Sequence, residues 1–295
     1  MTYSTFEICE FLDHKPSKVR WSPSPHNVDT LTFATCTSDS AAPSLTLWSV
    51  TSTARQPDLL DPMISLAPVL DAQQWLTGAT NSHAADMAWA GESSIVLAGR
   101  DGVISVVELP VQGEIGDRAL ETVVQFAPHR GGKTVGEVGC CALAVQGTRE
   151  NAKLATAGTD GSLSFCSVDG IAVDLMKDAD PLSITGLAWR TSSEVPTVLA
   201  TGNQDGEIRV WDVRFAAKPQ STLFSAHSSD IWEVAFSPNS NEIVSCSEDG
   251  SVCMVSWQNI SPTVGPDLYG RTDAPVRRFE LVLPANGTVA SNIRH

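Results

Sequence analysis

The chain has 295 residues, 42% of them hydrophobic and 18% charged, which is the composition of a protein with a sizeable packed core. Its net charge of −15 and pI near 4.7 argue against direct binding to nucleic acid or to an anionic membrane, since both need clustered Lys and Arg. The densest cationic spots are Arg277-Arg278 and the isolated Lys15 and Lys18.

Met1 to Glu10 lack the basic start and apolar run of a signal peptide, and no apolar stretch reaches the length of a membrane span. A soluble intracellular protein is therefore expected. The seven cysteines (Cys9, Cys36, Cys140, Cys141, Cys166, Cys246 and Cys253) are odd in number and include no CxxC pair. They read as free thiols in apolar strands, with no metal implied.

Taken in chain order, one pattern recurs. Val19-Arg20-Trp21-Ser22-Pro23 precedes Phe33-Ala34-Thr35 and then Leu45-Thr46-Leu47-Trp48. A Pro-rich stretch, Gln56 to Pro68, reads as an insertion. Next, Ile95-Val96-Leu97-Ala98, Asp101-Gly102 and Val103 to Val107 form a second unit. The segment Glu108 to Val138 is the expected site of another loop insertion. Leu154 to Ala157, Asp160-Gly161 and Leu163 to Phe165 form a third unit. The clearest copy runs from Thr185 to Arg214, with Val198 to Gly202, Asp205-Gly206 and Ile208-Arg209-Val210-Trp211-Asp212. The last begins at Asp230 and holds Ile231 to Pro238, Ile243 to Cys246, Asp249-Gly250 and Val252 to Val255.

The Asp-Gly pairs at 101, 160, 205 and 249 lie 59, 45 and 44 residues apart, and the last two spacings match one propeller blade. Asp-Gly favours a tight two-residue hairpin, because both central residues tolerate positive φ. The strands are apolar on both faces, so each sheet must be covered on both sides. Stacking small antiparallel sheets around an axis achieves this. The expected fold is all-β, a single β-propeller domain over 1–295. Five blades are clear. The tail from Gln258 to His295 holds one further strand, Phe279 to Leu283, which could pair with Tyr3 to Cys9 to close the ring. That makes six blades at most.

These residues resemble the WD-repeat family, with Trp211-Asp212 as its signature dipeptide. The resemblance implies a hydrogen-bonded tetrad of His, Ser or Thr, Asp and Trp inside a blade. His227, Ser245 and Asp249 match three of its positions, with Val255 in place of Trp, while Thr201, Asp205 and Trp211 match in the preceding repeat. Lys18 to Pro23, Thr46 to Val50, Ala226-His227, Ile231 to Val234 and Cys246 to Gly250 further resemble the small WD-repeat nucleoporins of the Y-shaped outer ring of the nuclear pore. That group is expected to have seven blades. The resemblance implies a non-catalytic scaffold of the nuclear envelope with Y-complex nucleoporins as partners. It also implies roles in pore assembly and in transport of protein and messenger RNA, and a mitotic role at kinetochores. It implies no cofactor and no small-molecule substrate.

Other chemistry fits these residues less well than the repeat does. His227, Ser245 and Asp249 have the residue types of a hydrolase triad, but their spacing follows the repeat and no nucleophile elbow surrounds Ser245. Gly132-Lys133-Thr134 resembles the end of a phosphate-binding loop, but Ala127 stands where the motif needs Gly. The six histidines (His14, His26, His83, His129, His227 and His295) show no metal-ligand spacing, and most read as loop residues. Trp211-Asp212-Val213-Arg214 also resembles the box of cullin–RING ligase substrate receptors, in which the Arg would dock on an adaptor. A generic peptide-reading adaptor is the third reading. The candidate partner-binding residues are Asp230, Trp232, Glu248 and Arg214, with Trp232 as the anchor.

Overall fold

The computed structural model describes residues 16–23, 30–37, 42–53, 69–110, 120–129, 138–147, 150–171, 173–190, 198–213, 220–237, 242–256, 276–282 and 290–293. Among these residues every regular element is a strand. The first sheet holds β1 (Pro16–Trp21), β2 (Thr30–Thr37), β3 (Ser44–Thr53) and β4 (Val69–Ala79). The second holds β5 (Ala84–Trp89), β6 (Ser94–Gly99), β7 (Ile104–Glu108) and β8 (Glu121–Phe126). The third holds β9 (Cys140–Gln146), β10 (Lys153–Gly158), β11 (Leu163–Ser167) and β12 (Val173–Met176). The fourth holds β13 (Ile184–Trp189), β14 (Val198–Asn203), β15 (Glu207–Asp212) and β16 (Gln220–Ser225). The fifth holds β17 (Ile231–Phe236), β18 (Glu242–Ser247), β19 (Ser251–Ser256), β20 (Val276–Val282) and β21 (Ala290–Ile293).

Each sheet is an antiparallel meander of consecutive strands, and the five form a five-bladed β-propeller. No sixth blade forms among the described residues. The tail strand expected to close the ring is instead the fourth strand of the fifth blade, because the free edge of β19 offers it a ladder. Val252 pairs with Phe279 there, and Phe279 pairs with Ile293 on its other side, so both edges of β20 are taken. Tyr3 to Cys9 lie outside the described residues, as does all of the Pro-rich insertion Gln56 to Pro68.

The Asp-Gly turns are longer than a two-residue hairpin. Gly99 donates to Val103 O at 2.8 Å while Gly102 donates to Gly99 O at 3.0 Å, so the loop has three residues and closes on a left-handed Gly102 (φ 82°). The aspartate side chain contributes by accepting the N–H two residues on, as Asp101 does from Val103 at 3.1 Å.

Strands β6 and β14 are buried along their whole length. The apolar core is divided among the junctions between blades. Leu47 and Met87 belong to the cluster between the first and second blades, and Val106 and Leu143 to that between the second and third. Leu163 and Leu187 belong to the cluster between the third and fourth, and Val210 and Val234 to that between the fourth and fifth.

Candidate functional site

The polar residues that look catalytic in sequence are used to tie strands together. In the fifth blade, His227 sits just ahead of β17 and reaches across to β18 and the start of β19. Its Nε2 lies 2.8 Å from Ser245 Oγ and its Nδ1 lies 2.9 Å from Ser251 Oγ. Asp249 Oδ1 accepts from Ser251 Oγ at 2.6 Å, and Oδ2 accepts from Ser228 N at 3.0 Å. Ser245 and Ser251 are both buried, so neither hydroxyl has an open approach for a substrate. Val255, where the family's Trp would sit, is packed in the apolar cluster of the fourth junction.

The third blade repeats this arrangement. His129 Nδ1 lies 2.8 Å from Ser162 Oγ, and Nε2 lies 3.0 Å from Thr156 Oγ1. Asp160 Oδ1 accepts from Ser162 N at 3.0 Å. His129 does stand in a turn after β8, yet its ring reaches into the blade, a role its own place in the sequence did not point to. The signal was present: Thr156, Asp160 and Ser162 have the spacing of Ser245, Asp249 and Ser251. His129 itself was hidden because a longer connection separates it from β10.

In the fourth blade, Trp211 Nε1 donates to Thr201 Oγ1 at 3.1 Å. Asp205 does not join them; it lies exposed at the turn, where its N–H is held by Asn203 Oδ1 at 3.0 Å. The first blade has a matching pair with no Trp-Asp dipeptide to mark it, Trp48 Nε1 donating to Thr35 Oγ1 at 3.0 Å.

Burial holds His129 down to about 4, against the pull of Asp160, and it lowers His227 against the pull of Asp249. Both rings are neutral in the folded protein at pH 7. Between pH 6.5 and pH 4 the unfolded chain binds the His129 proton more tightly than the fold does, so stability falls as pH falls. The loss from His129 should reach about 2 kcal/mol between pH 7 and pH 5. Urea unfolding of wild type and His129→Gln at the two pH values checks this, with the variant expected to lose less on acidification.

A second polar group lies at the inner ends of the blades. Asp86, buried on β5, accepts from Met87 N at 2.9 Å and Leu143 N at 3.0 Å. Arg20 of β1 binds Asp86 Oδ1 at 3.0 Å and Glu233 Oε1 of β17 at 2.9 Å, and Lys18 reaches Glu233 Oε2 at 2.9 Å. Burial raises the Asp86 carboxyl's pKa, while Lys18, Arg20 and the Leu143 N–H act against that rise. The described cysteines are free, and burial pushes the thiols of Cys36, Cys140 and Cys166 up to about 12, so they are inert apolar fillers.

All five inner strands have a one-residue bulge at the same place. The extra residues are Ser17, Ala85, Cys141, Thr185 and Trp232. Trp232 alone among them is a large aromatic, and it is 60% exposed. Asp230 and Glu248 lie at the same end of the fifth blade. Glu248 N donates to Asp230 O at 2.9 Å, and the Glu248 carboxylate accepts from Ser229 Oγ at 3.1 Å. The structure therefore gathers Asp230, Trp232 and Glu248. Arg214 and Gly132-Lys133-Thr134 lie outside the described residues.

Comparison with known proteins agrees with this architecture. The profile of the WD domain, G-beta repeat, matches residues 178–212 and 217–256, the fourth and fifth blades. Mouse nucleoporin Nup43 is 24% identical over 306 residues, covering 88% of this chain and 77% of its own length. Human nucleoporin Nup43 is 24% identical over 291 residues, covering 82% of this chain and 74% of its own. A guanine nucleotide-binding protein β subunit from Solanum tuberosum is 38% identical over 73 residues, covering 25% of this chain and 18% of its own length. The chain carries WD repeats and resembles the WD-repeat nucleoporins.

Proposed function

We propose, from the likeness of this five-bladed protein to nucleoporin Nup43, that the chain is a single-domain, non-catalytic scaffold subunit of the nuclear pore outer ring. It would act at the nuclear envelope, bind Y-complex nucleoporins and support pore assembly and the transport of protein and messenger RNA. The observation that carries a docking role is the exposed Trp232 flanked by Asp230 and Glu248, while the reactive-looking hydroxyls are enclosed. An exposed aromatic with an acidic, hydrogen-bonded surround suits a partner surface with an apolar pocket and basic rim.

Affinity purification of the tagged chain tests the reading. Outer-ring nucleoporins should be recovered, and Trp232→Ala should weaken their binding by about 2 kcal/mol, roughly 30-fold in Kd. The same substitution should change folding stability by no more than about 0.5 kcal/mol, because the side chain is exposed. Recovery of a cullin adaptor instead, lost on Arg214→Ala, would assign the chain to ubiquitin ligase substrate receptors.

A further inference from the structure

The meander fixes which loops share an end of a blade. In the third blade the Asp160-Gly161 turn joins β10 to β11, so the β9–β10 and β11–β12 connections lie together at the other end. Glu150 stands in the first of these connections and Asp169 in the second. Both are thus remote from the Asp-Gly end, where the fifth blade carries Trp232.

Glu150 and Asp169 border a cavity of about 400 Å³ at the junction of the second and third blades. Its apolar lining is Val106 of β7, Val124 of β8 and Val168, just after β11. Val106 is buried in the cluster packed between these blades, and Val124 and Val168 are half-buried against it. The turn that carries Asp169 is seated on the second blade. Gly170 is left-handed (φ 72°), its N–H donates to Ser167 O at 2.9 Å, and a Cβ there would meet the Phe126 ring at 2.7 Å. Asp169 Oδ1 accepts from the Ser167 hydroxyl and from Ile171 N, the latter at 3.0 Å. These bonds hold its carboxyl below the usual carboxylate range. Among the described residues, Glu150 makes no hydrogen bond or ion pair, and neither does Lys153, the described cation nearest to it in the chain.

We propose that this cavity docks a lysine side chain from an extended segment of a partner protein. The four-carbon stem lies along the valines, and the ammonium sits between Glu150 and Asp169. The net charge of −15 favours a cationic partner. Lysine suits the site better than arginine. Arginine gains most from a fork onto both oxygens of one carboxylate, and Asp169 Oδ1 already serves two donors. A protein segment suits it better than a small free amine. The cavity is open to solvent, whereas sites for small ligands enclose most of the ligand's surface. Ile171, two residues from Asp169, is 84% exposed and extends the apolar surface, so an aliphatic residue beside the lysine gains a contact there. The inference does not depend on the nuclear pore assignment.

Methyl NMR of the full chain reads the valines directly. The probe is the blocked peptide acetyl-Ser-Leu-Lys-Leu-Ser-amide. It should give saturable shifts at Val106, Val124 and Val168, and none at Val210 and Val234 of the fourth junction. Norleucine in place of the lysine removes both ion pairs and should weaken binding about 10-fold, while Glu150→Gln removes one and should weaken it about 3-fold. Glu150 is exposed, so that variant should keep the wild-type thermal midpoint, and it should bind the norleucine peptide as wild type does. Trp232→Ala should leave peptide binding unchanged. Absence of saturable shifts at the three valines overturns the proposal. Norleucine or arginine peptides that bind as well as the lysine peptide overturn it too, and n-butylamine binding as tightly as the peptide overturns it in favour of a small-amine site.

Discussion

Trp189→Ala should destabilise the protein by about 3–5 kcal/mol, whereas Trp21→Ala should cost no more than about 1 kcal/mol. The two residues share a position in the repeat and differ in what covers them. Trp189 is 6% exposed, packs in the cluster of the third junction and lies 6.0 Å from the Phe165 ring. Its removal leaves a cavity between blades and takes the indole donor away from Ala144 O. Trp189→Phe separates the two contributions, since it keeps most of the packing and loses the hydrogen bond, worth about 1 kcal/mol. Denaturant unfolding of the three variants measures all of this. Equal losses at Trp189 and Trp21 would contradict the part that burial plays in this difference.

Asp86→Ala should cost about 3–4 kcal/mol. The carboxylate is nearly inaccessible and serves three blades at once, through Arg20 of the first, its own backbone in the second and Leu143 N of the third. Without it, two buried N–H groups lose their acceptor. Arg20 keeps Glu233 and some solvent, which holds the loss near the lower end of the range for a broken buried pair. Asp86→Asn should cost less, because one amide oxygen still accepts from the backbone. Glu233→Gln should cost at most about 1 kcal/mol, since that carboxylate is 36% exposed. Thermal unfolding of the three variants in low and high salt gives the order. A Glu233 effect as large as that of Asp86 would contradict it.

The blades were legible because their signals are local. Asp-Gly turns, apolar runs such as Val198 to Gly202, and the Thr201–Trp211 pair all lie within one meander, and the structure uses them so. The Asp205 position failed because Asn203 takes the turn's capping role. His129 was missed because its partners lie across a lengthened connection, and Asp86 because its partners at Arg20 and Leu143 are far away in sequence. The expected sixth blade failed for a related reason. The apolar pattern marks Phe279 as strand, but does not say which free edge it joins. Trp232, Asp230 and Glu248 stand out in the sequence as candidates for one surface, while the bulge that lifts Trp232 outward is a feature of register that composition does not reveal.

Hydrogen exchange of wild type and His227→Ala is the most direct measurement of whether these polar groups tie the strands of a blade together or wait for a substrate. Amide protection in β17, β18 and β19 should fall sharply in the variant, while β5 to β7 keep theirs. Unchanged protection in the fifth blade would mean that His227 bears no structural role there, and the scaffold reading would lose its basis.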